Sequence, residues 1–81
     1  MKQNEMFIAA ASSFDAKKDN IQKHYAVLQA VHFDRYDQLK AEAIFTNDDV
    51  VKQFSGSGIY QVETVYGQGI VGLKKISSIQ L

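Results

Sequence analysis

The chain has 81 residues, with nine basic and nine acidic side chains, 46% hydrophobic residues and neither cysteine nor proline. That composition describes one small folded domain and excludes a disulfide framework, a thiolate metal site and the basic excess of many duplex-DNA binders. A domain of this size buries only about 60% of its unfolded surface, so packing against a second copy is a natural way to cover the remainder.

The longest uncharged apolar stretch, Met6 to Ala11, is far below the roughly 20 residues of a membrane span, and only Lys2 precedes it. The expectation is a soluble cytoplasmic protein. Met6 to Ser13 suits a strand. In Tyr25 to Phe33 the odd positions Tyr25, Val27, Val31 and Phe33 share one pleat face. A competing helix, capped by Asp15 with Ile21, Tyr25, Leu28, His32 and Leu39 near one stripe, is outweighed by the period-two clustering of aromatic and β-branched residues. Asp34 and Asp37 flank a turn around Arg35-Tyr36. Leu39 to Thr46 alternates strictly, which predicts a half-buried strand with Leu39, Ala41, Ala43 and Phe45 on the core face. Asn47-Asp48-Asp49 can cap a helical turn through Val50 to Phe54, ended by Ser55-Gly56-Ser57-Gly58. All five glycines follow residue 55, and Gly67-Gln68-Gly69 joins two further strands, Ile59 to Tyr66 and Ile70 to Ile79, into a hairpin. Five strands with a helical turn between the third and fourth predict an all-β, OB-like Greek-key barrel forming a single domain, whose closure would remove the sheet edges.

Little here suggests catalysis. His24 and His32, eight residues apart on one strand, are separated by roughly 26 Å, too far to share a metal. Gly67 to Gly72 matches GxGxxG, but it begins in a hairpin turn instead of joining a strand to a helix, so no dinucleotide cofactor is expected. No catalytic residue, metal, cofactor or small-molecule substrate is assigned.

Asp15 to Tyr25 concentrates Lys17, Lys18, Lys23, His24 and Tyr25 around an expected hairpin between the first two strands. Lysines there can hold phosphates while Tyr25 stacks on a base, the combination used by sequence-tolerant single-strand binders. Arg35-Tyr36 and Tyr66, at or beside predicted turns, repeat the theme, and Lys40 completes the candidate set. A polar solvated loop with Tyr25 partly in the core is the plainer alternative.

Over most of its length, and most strongly from Tyr36 onward, the chain resembles the single-stranded-DNA-binding proteins of filamentous bacteriophages. The residues that carry the resemblance are Gln38 to Thr46, the acidic turn after it, Ser57-Gly58-Ile59-Tyr60-Gln61-Val62, the hairpin, and a closing strand with Leu73-Lys74-Lys75-Ile76. The resemblance implies an OB-like dimer that coats phage DNA cooperatively during replication, without strong sequence preference. It also implies that the family's protruding basic and aromatic hairpin corresponds to Lys17, Lys18, Lys23 and Tyr25. Its late hairpin, which supports the dimer and lends an aromatic to the neighbour's DNA groove, corresponds to Val65 through Ile70 with Tyr66. Both hairpins are shorter here, and arginines are fewer. The alternative from a different class is a small assembly module that pairs with another chain through a β-hairpin edge.

Overall fold

The computed structural model describes residues 4–77. Its strands are β1 (Glu5–Lys18), β2 (Ile21–Phe33), β3 (Leu39–Thr46), β4 (Gly58–Val65) and β5 (Gly69–Ser77), with one helix, α1 (Asp48–Gln53), between β3 and β4. The expected Ser78 and Ile79 at the end of the last strand lie outside the described residues. All pairings are antiparallel, in one sheet of order β3-β2-β1-β4-β5. The helical alternative for the first half is not taken, since β2 is a continuous strand of 13 residues. Among the described residues, no helix is long and apolar enough to cross a membrane.

Local chemistry sets the turns. Asp19 and Asn20 both adopt positive φ, 53° and 63°, which gives a two-residue connection the twist of paired strands, so β1 and β2 stay paired to Lys18 and Ile21. The Asp34 carboxylate accepts the backbone N–H of Tyr36 at 2.8 Å and of Gln38 at 3.1 Å, folding the β2–β3 loop on itself. Gly58 lies so close to β5 that a Cβ there would stand 2.2 Å from the Ser77 carbonyl oxygen.

The sheet has an inner face, where Ile8, Leu28, Ala30, Tyr60, Val62 and Ile70 form the core around Val50 of α1. Asn47 caps α1 by accepting the Val50 N–H at 3.0 Å, and Asp48 and Asp49 occupy the positive end of its first turn. The Gln53 side chain accepts the Leu73 N–H at 2.9 Å, tying the other end to β5. Tyr60, fully buried, donates its hydroxyl to the Gly56 carbonyl at 2.6 Å and accepts the Ser55 N–H at 2.8 Å, which fixes the loop after α1.

Two expectations are corrected. Leu39, Ala41, Ala43 and Phe45 do not face the core: Leu39 is 61% and Phe45 67% exposed, and both alanines are exposed. The β2–β3 register pairs Ile44 with the fully buried Leu28, so the inward set is Lys40, Glu42, Ile44 and Thr46. Alternation shows that a strand has two faces; which face is buried depends on the side the helix covers. Lys40 and Glu42 are tolerated inward because they lie beyond the core, where His32 meets Glu42 at 2.6 Å and Lys40 meets it at 3.4 Å. The barrel closure is also not made. β3 and β5 both remain edges that approach where the Thr46 hydroxyl points to the Ile70 carbonyl at 3.5 Å.

The inverted face can be tested by urea unfolding. Phe45→Ala should cost under about 1 kcal/mol because no cavity forms, whereas Leu28→Ala should cost about 2–5 kcal/mol.

Candidate nucleic-acid interface

On the outer face of β1, β2 and β3, three rings meet. Phe14 and Tyr25, direct partners across the β1–β2 ladder, have ring centroids 5.6 Å apart, and Tyr25 and Phe45 are 5.7 Å apart. Phe14 is 46% exposed and Phe45 more so, with Val27 beneath them. A β-bulge creates this cluster. Between Ile8 and Ala10 the β1–β2 register shifts by one residue at Ala9, so β1 changes parity. Phe7 pairs with Val31 before the bulge and Phe14 with Tyr25 after it, which puts both phenylalanines on the outer face although they are an odd number of residues apart. Phe14 and Phe45 were absent from the candidate set for two reasons: the bulge hides the parity of Phe14, and Phe45 was assigned to the core.

The lysines divide between the faces. Lys18 and Lys23 fall on the parity of the rings, while Lys17 alternates to the other side with Asp15 and His24. Lys40 is likewise inward, held at Glu42. From Phe7 to Lys18, and throughout β2 and β3, the outward positions carry no carboxylate and only these two cations. Arg35 and Tyr36 stand about 26 Å or more from Tyr25 along β2, in the β2–β3 loop. There the guanidinium stacks 5.5 Å from the centroid of the exposed Tyr36 ring. Tyr66, fully exposed at the tip of the β4–β5 hairpin, does not join the cluster. The structure therefore brings Lys18, Lys23 and Tyr25 together and leaves Lys17, Lys40 and Tyr66 apart.

The inner side of the β1–β2 hairpin is fastened to α1. His24 Nδ1 lies 2.7 Å from Asp15 and Nε2 2.8 Å from Asp48, while Ser13 Oγ donates to Asp48 at 2.6 Å. A hydroxyl, an imidazole and a carboxylate also make up a nucleophilic triad, but there the hydroxyl must bond to the imidazole. Here Ser13 bonds to the carboxylate, so His24 is not placed to take its proton and the group acts as a latch. Hydrogen bonds to Asp15 and then Asp48 raise the His24 pKa above its usual 6.5. Ser13, then His24, lower that of Asp48 below 3.8. No group of three or more metal-ligating side chains occurs among the described residues.

No protein-family model, curated protein or solved structure matches this chain. Its function must therefore be argued from the geometry.

The latch gives stability a pH dependence of known sign. The raised His24 pKa contributes stability that is complete below about 6.5 and lost as pH climbs through the folded-state value. The lowered Asp48 pKa contributes stability present above about 3.8 and lost as pH falls through its folded-state value. Amide protection in the hairpin around Asp15 and His24, with the intrinsic base-catalysed exchange divided out, should be greatest between these limits and fall toward alkaline pH. In His24→Gln the alkaline limb should disappear.

Proposed function

We propose that the protein binds single-stranded nucleic acid along the outer face of its sheet, without catalysis, in the manner of the single-stranded-DNA-binding proteins it resembles. The observation that carries this reading is the contiguous Phe14–Tyr25–Phe45 ring cluster on an uncovered face whose nearby charges are Lys18 and Lys23. Every base has a π-face and every nucleotide a phosphate, so rings and flanking cations serve all sequences alike. Zero net charge does not oppose this. What a strand meets is the local field, and the acidic groups Asp15, Glu42 and Asp48 face the other way.

The strand order, with a helix between β3 and β4, supports an OB-like Greek-key arrangement opened between β3 and β5. Along the outer face, Lys18 and Lys23 stand at one end and Arg35-Tyr36 beyond the other, a track for several nucleotides. The exposed Val65 and Tyr66 on the late hairpin support a homodimer. Coating of phage DNA during replication is the biological role consistent with a sequence-tolerant site.

A second reading has its own observation. β3 and β5 are both free edges able to pair with a strand of another protein. Under that reading the rings would be dispensable for binding.

Fluorescence anisotropy with a labelled thymidine oligonucleotide at about 50 and 200 mM salt separates the two. Affinity should fall with salt by about 0.7 log unit per log unit for each phosphate neutralised. Phe45→Ala and Tyr25→Ala should each cost about 1–3 kcal/mol of binding and leave the slope unchanged. Lys23→Ala should flatten the slope and Lys17→Ala should change little. Absence of binding, or rings without effect, would contradict the proposal.

A further inference from the structure

Beside the ring cluster, two residues beyond the Val27–Phe45 pair along β2 and β3, the outer face sinks into a trough of about 470 Å³. Ala9, Ala41 and Ala43 line it with Val31 and Gln29. Its volume falls within the about 300–1,000 Å³ of small-molecule sites. Alanine is what makes the depression, because larger outward side chains stand on either side: Phe45 and Val27 toward the cluster, Phe33 and Leu39 toward the β2–β3 loop. Two polar residues line it: Glu42, whose carboxylate is engaged by His32 at 2.6 Å and Lys40 at 3.4 Å, and Gln29, which falls on the outward parity. The direct partners of Gln29 on the neighbouring strands are Ala10 and Ala43, and its exposed carboxamide has no hydrogen-bond partner among the described residues. Between Val27 and Val31 on the same face, an amide contributes nothing to packing that an aliphatic residue would not.

We infer that this trough is a nucleobase subsite in which the Gln29 carboxamide hydrogen-bonds the edge of a base of any of the four kinds. The inference rests on the single-strand reading and deepens it. In a single strand the pairing edge of each base is free. Adenine and cytosine present an amino donor beside a ring-nitrogen acceptor, while guanine and thymine present a ring N–H donor beside a carbonyl acceptor. A carboxamide carries an adjacent acceptor and donor and matches either order by rotating about its last torsion. A carboxylate or an ammonium cannot, which is a reason for glutamine at this place between Val27 and Val31. Gln29 and Ala43 stand two residues, about 7 Å, from the Val27–Phe45 pair, and Gln29 stands four residues, about 13 Å, from Tyr25, so a base on the Phe45 ring and its neighbour in the trough can be held together.

The test uses the intact chain and two short oligonucleotides, one of thymidine and one in which difluorotoluene replaces thymine, keeping its shape and removing its hydrogen bonds. For the wild-type protein and for Gln29→Leu, the ratio of the two affinities is compared. Loss of the amide should reduce the preference for thymine about fivefold, the lower end of what a bidentate contact supplies. Gln29→Glu should weaken thymidine binding as well, since a carboxylate offers no donor and repels phosphates. Ala43→Leu should fill the trough and weaken both oligonucleotides alike. All three replace exposed residues, and an unchanged thermal midpoint confirms the fold. An affinity ratio that Gln29→Leu leaves at the wild-type value overturns the subsite, while ring variants that still weaken binding leave the single-strand reading standing. Failure of the wild-type protein to bind either oligonucleotide overturns both. Replacing single thymines by adenine, cytosine or guanine should change affinity by less than about tenfold, and a larger preference for one base would contradict a subsite open to all four.

Discussion

A five-stranded sheet has two faces, and among the described residues one helix of six residues is there to cover them. Every other property of the molecule depends on where that helix docks. Val50 enters the core with no exposed surface, Gln53 holds the β5 backbone, and Asp48 holds His24 of the long hairpin. On the side the helix covers, the two edge strands β3 and β5 approach each other at Thr46 and Ile70. The opposite side has no helix over it: Phe7 and Val27 are buried in its sheet, and it is there that Phe14, Tyr25 and Phe45 gather, with Phe14 and Phe45 exposed. A face this apolar would be an association hazard on an ordinary domain. On a binding protein it is the place where a ligand replaces water.

The Ala9 bulge couples fold to site. Without the extra residue, Phe14 would alternate onto the inner face, and Ser13 and Asp15 would turn outward, away from Asp48 and His24. One inserted residue thus completes the ring cluster on one side and the latch on the other. It also separates these charges, since Asp15 of the hairpin and Asp48 of the helix meet on the inner side while Lys18 and Lys23 share the side of the rings.

The strands were legible because hydrophobic period is a local property. β3 begins and ends where its alternation does, and Asn47 caps α1 as its side chain suggests. The positive-φ pair Asp19-Asn20 and the Asp34 turn follow from the same short-range chemistry. What escaped the sequence was the sign of each face. Leu39, Ala41, Ala43 and Phe45 look like a core stripe until the register places Ile44 against Leu28. Parity across the bulge was hidden for the same reason, because a register shift is a relation between two strands. Tyr25 could be picked out by its proximity to lysines, but its ring partners come from elsewhere in the sequence, and Lys17 differs from Lys18 only in the direction it alternates.

The central claim is that the helix-free face is the working surface, and side-chain NMR reports on the two faces separately. On titration with a thymidine oligonucleotide, the methyl signals of Val27, Val31, Ala41 and Ala43 and the ring signals of Phe14 and Phe45 should shift. Those of Val50, Ile70 and Leu73, on the helix side, should stay in place. Shifts concentrated at Val50, Ile70 and Leu73, or no shifts at all, would contradict the account.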